Sequence, residues 1–84
     1  MVDTNEVNKA LALTFPSLDF IKIITSFDYT YYETRFILVM RNRDKLGRKV
    51  ESKQRIIAFD SDSLYEEACK AARRFMNKDT KARG

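Results

Sequence analysis

Histidine is absent from this sequence, and cysteine occurs once, at Cys69. Those scarcities exclude much chemistry before any pattern is read. Without histidine there is no Ser–His–acid triad and no Cys–His dyad, and zinc or copper lacks its usual ligands. A lone cysteine cannot close an intramolecular disulfide, which excludes a disulfide-stapled secreted fold. Glycine stands only at Gly47 and Gly84, so no glycine-rich loop is available to cradle phosphate. No apolar run approaches the ~18 residues of a membrane span. The polar, acidic start Asp3-Thr4-Asn5-Glu6 is unlike a signal peptide. The expectation is a non-enzymatic chain, without cofactor or metal, in a reducing cytoplasm.

What is present is ordinary globular material: 44% hydrophobic and 33% charged residues in 84, with one proline. This composition is neither low-complexity nor disordered. The length suits one domain and is too short for two cores. Such a chain buries about 60–65% of its unfolded surface, so its stability is modest unless it oligomerises.

The pattern predicts an α+β fold of order α-β-β-β-α over 1–84: a helix and connector (1–17), a three-stranded antiparallel sheet (18–59), a helix (61–77) and a basic tail (78–84). Asp3 with Glu6 has capping-box spacing. Val7, Ala10, Leu11 and Leu13 then mark a short amphipathic helix. Pro16 ends it by disfavouring helical backbone at Phe15. Leu18–Asp28, Thr34–Arg43 and Arg48–Phe59 read as strands, with turns at Tyr29–Tyr32 and Asp44–Gly47. Asp60, Ser61, Asp62 and Ser63 offer N-caps for the last helix, Ser63 with Glu66 having capping-box spacing. Leu64, Ala68, Ala71, Ala72, Phe75 and Met76 form its apolar stripe, in which Cys69 serves as a small hydrophobe.

Register decides where the charge goes. Asp44-Lys45-Leu46-Gly47-Arg48 fits a three-residue hairpin loop with glycine in the left-handed position. Residue numbers of paired positions then sum to about 92, which puts Phe36, Leu38 and Met40 on one face with Ile56. Arg35, Arg41 and Arg43 share the other with Lys49, Lys53 and Arg55. A two-residue loop would slide those apolar residues beside Arg55, Lys53 and Glu51, at a prohibitive desolvation cost. By the same logic Ile21, Ile23 and Phe27 point to the core, and Phe20, Lys22 and Ile24 to the outer face.

The net charge of +4 is concentrated. Residues 33–55 carry eight Lys/Arg against Glu33, Asp44 and Glu51, a local +5, while residues 1–32 sum to −2 and residues 56–84 to +1. A basic stripe with few acids is the footprint of a phosphate-backbone partner, and arginine also reads guanine in the major groove. The candidate nucleic-acid contacts are Arg35, Arg41, Arg43, Lys49, Lys53 and Arg55, with Lys22, Lys45, Arg48 and Tyr31 as secondary contacts. A charged edge also serves solvation and discourages aggregation. Phe20, Ile24, Ile37 and Val39 give the same face an apolar side. They are covered by the first helix or by a second copy in a homodimer, or they dock an acidic protein partner, as in a phage-type inhibitor or other protein-interaction module.

Three strands running into Ala58-Phe59-Asp60, then Glu66-Glu67-Ala68-Cys69-Lys70-Ala71-Ala72, resemble the apetala/ethylene-response-type DNA-binding domains and their phage and integrase arm-binding relatives. The resemblance covers roughly Thr34–Phe75. It implies an accessory protein of phage or mobile-element type that recognises duplex DNA with the exposed sheet face, here the basic one. The element order also resembles double-stranded-RNA-binding domains. Their basic opening of the last helix is replaced here by Asp60-Ser61-Asp62-Ser63, which would repel phosphate.

Overall fold

The computed structural model describes residues 2–81, with side chains as far as residue 77. The architecture is α+β: α1 (Thr4–Thr14), β1 (Phe20–Asp28), β2 (Glu33–Arg43), β3 (Lys49–Ile56) and α2 (Ser61–Lys81). The antiparallel sheet has strand order β1-β2-β3, and among the described residues no helix is long and apolar enough to cross a membrane.

Local chemistry accounts for the element ends. Asp3 caps α1, its carboxylate accepting from the Glu6 amide at 3.2 Å. The reciprocal half of the expected box is taken elsewhere: the Asp3 amide donates to Ser61 Oγ at 2.8 Å, tying the starts of the two helices together. The other end of α1 is held by Thr14 Oγ1 against the Tyr65 hydroxyl at 2.6 Å. α2 is capped by Asp60, which accepts from the Ser63 amide at 2.7 Å. Ser63 Oγ in turn accepts from the Asp60 amide at 3.3 Å. Ser63 therefore closes a box with Asp60, three residues earlier than the Ser63–Glu66 pairing its spacing suggested.

Both hairpin registers place the apolar positions on one side. Phe36 pairs with Ile56, Leu38 with Gln54 and Met40 with Ser52. On the other flank Ile21 pairs with Met40 and Ile23 with Leu38. Gly47 sits at φ +79 with its amide donating to Asp44 O at 3.0 Å, the left-handed end of a three-residue loop. Leu38 and Met40 are fully buried under Leu11, Leu64, Ala68 and Ala72. The alanines let α2 approach the sheet closely.

Some boundaries and burials differ from the sequence expectation. β1 begins at Phe20, and β3 stops at Ile56, leaving Ile57 and Phe59 83% and 89% exposed. α2 runs four residues past 77, to Lys81, so the start of the expected basic tail is helical backbone; residues 82–84 lie outside the described residues. Leu13 is exposed. Phe27 lies on the helix side of the sheet but beyond the reach of the helices, 44% exposed. It packs instead edge-on against Tyr29, ring centroids 4.9 Å apart, and Tyr32 at 6.1 Å. Phe75 and Met76 are half-buried at the margin of the core.

Candidate nucleic-acid interface

Among the described residues, one face of the sheet has no helix on it. α1 packs against β1 and α2, and α2 against β3, with Val7, Leu11, Leu64, Ala68 and Ala72 all contributing to the core on the side of Leu38 and Met40. The first helix therefore leaves the face of Arg41 and Lys53 open. It is anchored where it lies by Asn8. That side chain accepts from the Ile23 amide at 2.7 Å and donates to the Ile23 carbonyl at 3.1 Å, as a neighbouring strand would.

The open face is built in cross-strand rows. Ile24, Ile37 and Arg55 form one, Lys22, Val39 and Lys53 the next, and Phe20, Arg41 and Glu51 a third. Arg43 pairs with Lys49 beyond the third row, and Ser26 with Arg35 before the first. All six primary candidates thus share one face, with Lys22. Val39 is 3% exposed yet stands apart from the core. It stands between Lys22 and Lys53 in its cross-strand row, where long aliphatic stems can cover an apolar neighbour while the charged heads stay in water. Ile37 is half-buried, and Ile24 is 46% exposed.

Acids are less scarce on this face than the sequence suggested. Arg35 is engaged from both sides, Nη2 with Asp28 at 2.5 Å and Nε with Glu33 at 3.4 Å, and its guanidinium lies 5.8 Å from the Tyr31 ring centre. Arg43 donates to the Gly47 carbonyl at 2.9 Å and stands 3.9 Å from Asp19. Arg41 donates from Nε to Glu51 at 2.6 Å and lies over the Phe20 ring at 4.9 Å. The hydrogen bond from Arg41, then its charge and that of Lys53, hold the Glu51 carboxyl below its ordinary value. Lys53 is 3.9 Å from Glu51. Among the described residues, Lys22, Lys49 and Arg55 have no carboxylate within ion-pair distance.

The candidates therefore differ in kind. Lys22, Lys49, Lys53 and Arg55 are outward-facing cations available to an anion. Arg41 is an oriented guanidinium, fixed through Nε and stacked on one face, with its paired terminal nitrogens uncommitted to any carboxylate. Arg35 and Arg43 are absorbed in shaping the two hairpin ends. Of the secondary candidates, Arg48 is bound to Asp44 at 2.8 Å. The Asp44 carboxyl is held low chiefly by the Arg48 amide. Lys45 lies in the loop, and Tyr31 is 70% exposed at the first turn. Sequence reasoning missed Phe20 as the stacking platform for Arg41. The signal was available in the 20–41 pairing, which follows once Ile23 is set opposite Leu38. Compared with protein-family models, curated proteins and solved structures, the chain matches none.

Proposed function

We propose that the open sheet face binds duplex DNA, with the sheet lying in or along the major groove. The observation that supports this most directly is the uncovered cluster of Lys22, Lys49, Lys53 and Arg55 around Arg41, on the face that both helices avoid. In this reading the four outer cations neutralise phosphates, a sequence-independent and salt-sensitive contribution. Arg41 supplies base readout. Its Nε is occupied by Glu51, which leaves the planar pair of terminal nitrogens to donate to guanine O6 and N7.

A specific observation favours a second reading. Exposed Ile24, with half-buried Ile37 and Phe20, puts apolar surface among the cations, which suits a protein-interaction module on an acidic partner as well. The test separates the two by site and by salt. With about four phosphate contacts, log affinity falls against log salt with a slope of roughly −4. Neutralising Lys22, Lys53 and Arg55 together brings that slope toward about −1 and weakens binding to every duplex. Arg41→Ala costs about 1–3 kcal/mol and relaxes preference at one base pair. The control removes Lys9, Arg73 and Arg74, exposed on the helix layer. Equal losses from the two triple variants would reduce the binding to bulk charge attraction and leave the protein-partner reading.

A further inference from the structure

The two edges of the sheet are unlike. On β1, the central outward-facing backbone groups, those of Ile23, are occupied by the Asn8 side chain, and α1 packs along the strand. Among the described residues nothing comparable covers the outer edge of β3. The hairpin bond from the Asp44 amide to the Arg48 carbonyl at 2.9 Å sets the phase of the β2–β3 ladder. Antiparallel pairing alternates from there. Even-numbered β3 residues bond to β2, and Lys49, Glu51, Lys53 and Arg55 direct their N–H and C=O groups away from the sheet. Such an edge is a template for another strand.

What lies above and below this edge states which strand fits. On the open face its side chains are Lys49, Lys53 and Arg55, with Glu51 neutralised by Arg41. On the helix side, Val50, Ser52 and Gln54 form with Arg74, Phe75 and Met76 a cleft of about 490 Å³, and Val50 is 40% exposed. Past the strand end, Ile57 and Phe59 project into solvent. An incoming strand alternating acidic and apolar residues would set carboxylates beside Lys49, Lys53 and Arg55 and apolar side chains beside Val50, Phe75 and Met76. A second copy of β3 would instead set this row, Lys49, Lys53 and Arg55 with Glu51 already held by Arg41, against an equally basic one, and like charges across a ladder oppose pairing.

We propose that the β3 edge captures an extended segment of another protein, alternating acidic and apolar residues, as a fourth strand of the sheet. The recognition is main-chain addition with alternate side chains supplying selectivity. It shares Lys49, Lys53 and Arg55 with the DNA reading but stands without it, because the backbone edge and the helix-side cleft carry it.

The probe is a capped eight-residue peptide of alternating glutamate and valine, added to the isotope-labelled full chain. Expected are shifts and slowed exchange at the amides of Lys49, Glu51, Lys53 and Arg55, with β1 amides unmoved. The lysine–valine peptide gives no effect. The decisive variant is Glu51→Pro. An outward N–H on an edge strand is where proline is tolerated, and removing the glutamate makes the face more basic. Strand addition then weakens by about tenfold or more, whereas simple charge attraction strengthens. Should Glu51→Pro disturb the fold, shown by shifts in β1–β2 amides, N-methylation of the peptide on alternate residues replaces it. Methyls on the edge-facing nitrogens abolish binding, and methyls on the other nitrogens leave it intact. Tighter binding by the variant, equal response to both peptides, or β3 amides already protected in a concentration-dependent dimer would overturn the proposal.

Discussion

Leu38 has no exposed surface and sits mid-strand between Ile23 and Gln54, so truncating it removes fully buried methyl groups. Leu38→Ala should lower unfolding free energy by about 2–4 kcal/mol, read from denaturant titration, and a loss under about 1 kcal/mol would contradict this packing. Gly47 makes a cleaner backbone probe. A Cβ there meets nothing within 4 Å, so Gly47→Ala carries only the conformational cost of φ +79, about 1 kcal/mol. Gly47→Asn should recover part of it, since asparagine tolerates that region. Both sites were legible because a period-two apolar pattern and a single glycine left one sensible loop. The other tight turn was not legible in this way. There the positive φ, +50, belongs to Tyr32, and nothing in Tyr29-Thr30-Tyr31-Tyr32 marks one tyrosine as left-handed. The turn is set instead by Asp28, whose carboxylate accepts from the Thr30 amide at 2.8 Å.

Among the elements, α1 shows where periodicity stops informing. Val7 and Leu11 gave its buried stripe, yet the contact that places it on β1 is polar and comes from Asn8. An asparagine inside a helix is a weak helix former. Between Val7 and Leu11 it was a signal that the residue is retained for a bond outside its own helix. Asn8→Ala leaves the partly buried Ile23 amide and carbonyl without their partner, a loss of about 1–3 kcal/mol. The matching measurement is hydrogen exchange, which should accelerate at Ile23 before the Leu38 amide responds; unchanged protection at Ile23 would refute the bridging role. The end of β3 was misread for a related reason. Ile56-Ile57-Ala58-Phe59 is apolar enough for a strand, and β2 continues to Glu33 in pairing with β1, but Phe36 is the last residue paired with β3. Composition does not encode where a ladder stops.

Over the whole molecule, electrostatics has a predictable pH response. Asp60 is held below its ordinary value first by the Ser63 amide and then by the Ser63 hydroxyl, and Glu51 and Asp44 are lowered by their arginine partners. Groups with depressed folded pKa values bind fewer protons folded than unfolded, so stability rises with pH through the carboxylate range and is lost as pH falls through the folded values. Unfolding midpoints should be flat above about pH 5 and decline below about pH 4. Asp60→Asn should reduce the decline, and midpoints independent of pH down to about 3 would refute these assignments. The candidate face was legible as a set of residues, because register alone places alternate side chains. The internal commitments of Arg35 and Arg43 were not, since they depend on how Asp28 and Glu33 at the strand ends and Asp19 in the connector reach over the sheet. One further consequence belongs to the asymmetry that Asn8 creates. A sheet extensible on one side only has a valence of one. If two molecules ever met through their β3 edges, each would present an Asn8-blocked strand on the outside, and growth would terminate at the pair. Raising the concentration therefore supplies no route to strand-by-strand polymerisation.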